Sequence, residues 1–196
     1  MKALLVIDIQ NDFMPNGSLE VKEGDHIISK INEIMDNYDL IIGTKDWHPQ
    51  NHISFASNYS NKNVGDIVNI NGSNQILWPD HCVQDSHGAK FHKKLNIKKI
   101  NKIIYKGTER DVDSYSGFND NARGSSTELS KILKEKRIDK IDCVGLTTEY
   151  CVKYTALDAV NEGFSTRVIM SCTKGLSQND IDDAVNEMRL KGVVII

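Results

Sequence analysis

The chain has 196 residues, with 24 Lys and Arg against 27 Asp and Glu and a formal net charge of −3. Lysines scattered among carboxylates exclude a basic nucleic-acid surface, and no apolar stretch approaches the roughly 20 residues that a membrane span needs. Hydrophobic content of 39% and charged content of 26% are ordinary for a folded chain, and the length suits a single domain over residues 1–196.

Residues 2–8, Lys-Ala-Leu-Leu-Val-Ile-Asp, form a near-continuous apolar run ending on Asp8, as expected of a strand buried on both faces of a parallel sheet. The chain enters this strand directly, without the pattern of a signal peptide. The four cysteines at 82, 143, 151 and 172 show no paired spacing, so neither a disulfide framework nor a zinc ribbon is expected. Together these point to a cytoplasmic protein with reduced thiols. Asn16-Gly17 reads as a turn, and Ile27, Ile28, Ile31, Ile34 and Met35 make a helical stripe over 25–35. A second apolar run at 40–44 leads into Lys45-Asp46-Trp47-His48-Pro49. Residues 50–96 show little periodicity, and loops this long inside a compact domain are usually functional. Within them the basic run 93–99 reads as a solvated face.

Regular alternation predicts a strand over 99–105, ending at Lys106-Gly107. After an irregular segment at 108–124, Ser125 or Ser126 is placed to cap a helix with the stripe Leu129, Ile132 and Leu133. A strand at 140–145, a helix following Cys151, a strand at 165–170, a helix over 179–190 and a terminal strand at 193–196 complete the order. Strands alternating with helices imply a three-layer α/β/α fold on a mostly parallel six-stranded sheet. The terminal strand would leave an edge through which a second copy could associate.

Asp8, Asp46, Lys106 and Cys151 each fall at or just past the C-terminal end of a different predicted strand. In an open parallel sheet those ends share one edge, where ligands bind. Cys151 also lies at the start of a helix, where free N–H groups and the helix dipole favour a thiolate. A thiol nucleophile needs a base and a nearby positive charge, and Asp8 and Lys106 supply them. Backbone N–H groups at Leu146-Thr147 and at Cys151 are candidates for an oxyanion hole. Asp46, His48 and His81 could hold Zn²⁺, Fe²⁺ or Mn²⁺, with His52 as a further ligand or supporting partner; the competing reading is a set of polar loop histidines. His26, His87 and His92 read as surface residues, and Cys82 is at most a weak candidate ligand.

Val6-Ile-Asp8-Ile-Gln-Asn-Asp-Phe13, Thr44-Lys-Asp46-Trp-His48-Pro, Trp78-Pro-Asp-His81-Cys-Val, Tyr105-Lys106-Gly107, Ser114-Tyr-Ser-Gly-Phe118 and Gly145-Leu-Thr-Thr-Glu-Tyr-Cys151-Val resemble, in order and across nearly the whole chain, the nicotinamidases of the isochorismatase-like cysteine hydrolase superfamily. The resemblance implies hydrolysis of nicotinamide, and of its near isostere pyrazinamide, to the acid and ammonia through a thioester on Cys151, in NAD salvage. It implies a divalent metal on Asp46, His48 and His81 that faces the pyridine nitrogen. Phe13, Trp78 and Tyr115 would wall the ring, and a cis peptide between Leu146 and Thr147 would shape the oxyanion hole. Glu149-Tyr150 stands where members often carry Asp-His or Asp-Tyr, and these side chains are not expected to do chemistry. The alternative is a metal-independent hydrolase of the same superfamily acting on another small amide or a vinyl ether.

Overall fold

Five successive buried residues, Ala3 to Ile7, define the first strand, and the architecture explains why none of them could be polar. The computed structural model describes residues 1–70 and 72–196. Along the chain come β1 (Lys2–Ile7), α1 (Ile28–Ile34), β2 (Leu40–Asp46), β3 (Ile67–Ile70), β4 (Ser73–Ile76), β5 (Lys102–Lys106), α2 (Leu129–Glu135), β6 (Lys140–Leu146), α3 (Lys153–Asn161), β7 (Ser165–Lys174), α4 (Gln178–Leu190) and β8 (Val194–Ile195). Six of these strands form one parallel sheet in the order β5-β2-β1-β6-β7-β8. Side chains alternate across a strand. Ala3, Leu5 and Ile7 therefore enter a core shared with Leu129, Leu133, Ala156 and Met188 of α2, α3 and α4. Leu4 and Val6 enter the opposite core, with Ile28 and Ile31 of α1 and with Phe91 and Leu95 of the irregular region.

From β1 the chain builds outward through β2 and β5 on one side, then through β6, β7 and β8 on the other. The order reverses at β1, and the crevice at the C-terminal strand ends beside such a reversal is where doubly wound folds place their ligands. Glycine is required at one point of this edge. Gly145 has φ of +122°, and a Cβ there would lie 2.0 Å from the Ile7 carbonyl oxygen of β1.

Several local expectations are corrected. The strand expected from residue 99 begins at Lys102, because Ile97–Lys99 forms a 3-10 turn. The strand expected over 165–170 continues to Lys174, with a register irregularity opposite Cys143 and Gly145 of β6. Neither Ser125 nor Ser126 caps α2. The Ser125 amide instead donates to Asp120, and Thr127 Oγ1 accepts from Leu129 N at 3.1 Å while donating to the Gly117 carbonyl. The region 50–96 is not wholly irregular, since β3 and β4 pair as an antiparallel hairpin within it. The helical stripe at 25–35 is split into a 3-10 turn, Gly24–Ile27, and the short α1. No helix is long and apolar enough to cross a membrane among the described residues.

Candidate active site

Each charged residue of the crevice is delivered by a strand end and then held by a neighbour. Asp8 leaves β1 with φ of +51°, and its Oδ1 accepts from Thr44 Oγ1 at 2.6 Å. Asp46, the last residue of β2, is pinned through its backbone by Gln10, whose amide group accepts from Asp46 N and donates to Asp46 O, both at 2.8 Å. Lys106, the last residue of β5, pairs in register with Asp46. Cys151 lies in a single π-helical turn, Thr148–Val152, closed by Val152 N donating to the Thr147 carbonyl at 3.0 Å. Such turns recur at functional sites. The peptide between Leu146 and Thr147, which leads into this turn, is cis.

These elements converge on one ammonium group. Lys106 is 2% exposed. Its Nζ donates to Asp46 Oδ1, to the Ser114 carbonyl at 3.0 Å and to Cys151 Sγ at 3.3 Å, and it pairs with Asp8 Oδ2 at 3.0 Å. The Cys151 sulfur lies within 4.8 Å of carboxylate oxygens of Asp8 and Asp46. Charge buried this deeply is tolerable only when paired, and its consequences can be followed group by group. Burial would lower the Lys106 ammonium, but Asp46 and Asp8 hold it well above its usual range. Burial would raise Asp46, yet Lys106 and then His48 hold its carboxyl well below the usual carboxylate range. Asp8 stays raised, because burial outweighs the pull of Lys106 and Asp46 adds to it. Burial also raises the Cys151 thiol well above its ordinary value, against the lowering influence of Lys106. Asp46 stays ionised against the lysine, and the thiol beside Asp8 keeps its proton at rest.

The second oxygen of Asp46 faces the histidines. Oδ2 lies 3.7 Å from His48 Nε2 and 3.8 Å from His81 Nε2. His48 Nδ1 lies 2.9 Å from the Gly107 carbonyl and His81 Nδ1 lies 2.8 Å from the Pro79 carbonyl. A carbonyl can only accept, so both Nδ1 atoms carry a proton, and the Nε2 atoms are the ones turned toward Asp46. This is the tautomer that metal-binding histidines adopt. One carboxylate and two imidazole donors at this spacing fit a divalent transition metal. His52 lies outside this trio, with its Nε2 donating to the Val112 carbonyl at 3.2 Å and its Nδ1 accepting from Ser54 Oγ at 2.7 Å, and its ligand atoms group instead with His48 and Asp113. Burial, with His48 beside it, lowers the His52 imidazole to about 4 and keeps it neutral. Cys82 is buried on the apolar side of the sheet.

A narrow cleft opens over Cys151 and reaches Asp46, His48, His81 and Thr147. Phe13, Trp78 and Tyr115 line it, and Trp78 Nε1 donates to the Tyr115 hydroxyl at 3.2 Å. A wider groove runs along β5, but Cys151, Asp8 and the histidines do not line it. Sequence reasoning missed four lining residues, Leu19, Asp113, Tyr150 and Leu176. It also missed the residues that hold the charged groups, Gln10 and Thr44. Thr44 stood in a quoted motif and Gln10 two residues after Asp8; Leu176 carried no signal, because its position depends on how β7 joins α4.

Parallel α/β/α layers with a buried carboxylate–ammonium–thiol centre at the reversal of the sheet define the structural class. A family model described as Isochorismatase domain matches residues 2–196, and the chain belongs to this family. It is 43% identical over 192 residues to the nicotinamidase of Acinetobacter baylyi, covering 97% of this chain and 90% of that one. Among solved structures, a nicotinamidase/pyrazinamidase of Acinetobacter baumanii superposes with a TM-score of 0.97 at 42% identity, covering 100% of this chain and 95% of that one. A pyrazinamidase of Pyrococcus horikoshii in complex with zinc superposes with a TM-score of 0.81 at 40% identity, covering 100% and 98%.

Proposed function

We propose that this chain is an amidohydrolase that converts nicotinamide to nicotinate and ammonia, takes pyrazinamide as a second substrate, and serves NAD salvage. The observation that carries the proposal is Lys106, which touches Cys151, Asp8 and Asp46 at once while the other oxygen of Asp46 faces the Nε2 atoms of His48 and His81. A nucleophilic centre and a ring-binding centre thereby share one carboxylate. The names of the relatives, nicotinamidase and pyrazinamidase, support the same substrate class.

The aromatic amide lies between Phe13, Trp78 and Tyr115, with its carboxamide over Cys151. Asp46, His48 and His81 hold a divalent ion, zinc in the first instance and iron or manganese otherwise. When bound, the ion supplies a Lewis acid for the pyridine nitrogen. Asp8 takes the thiol proton as sulfur attacks the carbonyl carbon, and Lys106 balances the charge left on sulfur. The thiol is raised at rest, so this transfer accompanies attack rather than preceding it. The Thr147 and Cys151 amides receive the oxyanion. Asp8 returns its proton to nitrogen as the C–N bond breaks and ammonia departs. Water, deprotonated by Asp8, then adds to the thioester, giving nicotinate and the free thiol.

The test is ammonia release from nicotinamide by purified protein, before and after chelation and after addition of Zn²⁺, Fe²⁺ or Mn²⁺. Activity that falls on chelation and returns with metal is expected. Activity indifferent to chelation would overturn the metal assignment, and no activity in any metal state would overturn the substrate.

A further inference from the structure

Glu149 lies two residues before Cys151 in the π-helical turn and is 3% exposed, yet its carboxyl group does not face the reacting centre. Oε1 accepts from two successive backbone amides, Leu176 N at 2.6 Å and Ser177 N at 3.2 Å. Oε2 is buried without a hydrogen-bond partner among the described residues. A Cβ on Gly175 would lie 2.1 Å from that atom, so the glycine backbone packs directly on the carboxyl group. These contacts fasten residues 175–177, the short strap that joins β7 to α4. Leu176, at the middle of the strap, lines the cleft although it is 39% exposed. The strap's two ends are anchored in the fold, Lys174 in register with Leu146 of β6 and Ser177 capping α4, while Gly175 and Leu176 between them are packed and held by Glu149.

We propose that Glu149 is a positioning residue that holds Leu176 against the bound substrate ring and so sets affinity rather than the rate of the chemical step. The inference rests on the proposed amidohydrolase reading. Its physical basis is an asymmetry. An exposed leucine gains nothing from water, and the strap keeps it at the rim of the cleft only while two amides share one buried acceptor. Removing the acceptor leaves two N–H groups that are better satisfied by water. The strap then relaxes outward and one apolar wall of the ring pocket is lost. That wall contacts the ring equally before and during reaction, so its loss weakens binding uniformly and leaves turnover unchanged.

Steady-state kinetics on nicotinamide with Glu149→Ala, Leu176→Ala, the double variant and Glu149→Gln test this. Glu149→Ala and Leu176→Ala are each expected to raise KM by about tenfold, the scale of losing one apolar contact surface on a small ring, with kcat within about twofold. The double variant is expected to be no worse than the poorer single one, because both remove the same wall. Glu149→Gln keeps an acceptor oxygen and is expected to restore KM to near wild type. A fall in kcat at unchanged KM in Glu149→Ala, or additive KM effects in the double variant, would overturn the inference while the substrate assignment stands. A wild-type protein that releases no ammonia would overturn the substrate assignment, and the inference with it.

Discussion

At the scale of single residues, Lys106 and Cys151 do different work, and variants separate them. Lys106, itself buried, balances the buried carboxylates of Asp8 and Asp46. Replacing it with Met leaves both carboxylates buried and unpaired, a loss of about 3–5 kcal/mol. For a chain of this size that corresponds to a fall in Tm of about 10 °C, measurable by calorimetry, together with loss of ammonia release. Cys151→Ala removes a neutral thiol and no charge, so Tm is expected to stay within a few degrees. Activity is expected to fall by roughly 10⁴-fold or more, as when a nucleophile is removed. Appreciable turnover by Cys151→Ala would defeat the thioester route, and an unchanged Tm for Lys106→Met would defeat the account of the buried charges.

The convergence of Asp8, Asp46, Lys106 and Cys151 was legible in the sequence, because each closes an apolar run and parallel strand ends must share an edge. His52 could not be read this way. Spacing brings it close to His48, with ring centroids 4.1 Å apart, but a ligand also needs a free lone pair. Its two nitrogens are committed to Ser54 and to the Val112 carbonyl, and the latter lies 60 residues away in the chain.

At the scale of elements, strands β6 and β7 are joined by a polar cluster remote from the cleft. Asp142 accepts from Arg167 Nε at 2.6 Å, from Arg167 Nη2 at 2.5 Å and from the Tyr38 hydroxyl at 2.6 Å. Burial acts to raise its carboxyl, but Arg167 and Tyr38 overcome that and hold it below its usual value. A carboxyl lowered in the folded state stabilises fully above its unfolded value, about 3.9. That contribution is lost as pH falls from there through the folded-state value. Asp142→Asn is therefore expected to cost about 1–2 kcal/mol at pH 6–8, the scale of charge-assisted bonds to a partly exposed arginine. The difference should shrink as pH drops below about 4. Urea midpoints measured across this range check the sign, and a difference that grew on acidification would contradict it.

The elements that sequence reading misplaced share a cause. The α2 cap and the contacts of Glu149 are set by partners outside their own segment: Gly117 for Thr127, and residues 175–177 for Glu149. Local propensity is silent about such partners.

For the whole molecule, the sheet is the common wall of both cores, and β1 feeds them with alternate residues. Opening either face strips one side of the same strands. One cooperative transition is therefore expected over residues 1–196, with far-UV circular dichroism and tryptophan fluorescence coinciding in urea. The probes suit the test, since Trp47 packs against the α1-side core and Trp78 lines the cleft. Transitions that separate would show that the two faces fold independently.

By itself the sequence determined the layered parallel fold and the common edge for its reactive groups, because burial on both faces demands continuous apolar strands and parallel strands end together. It also determined the donor types at that edge, one thiol, one lysine, carboxylates and imidazoles, and so the classes of chemistry open to it. Only the tertiary structure decided which nitrogens are free, that Asp46 serves Lys106 and the histidines at once, and that Glu149 turns away to hold the strap. Those outcomes depend on hydrogen-bond directions and distances between segments up to 60 residues apart, which no local pattern encodes.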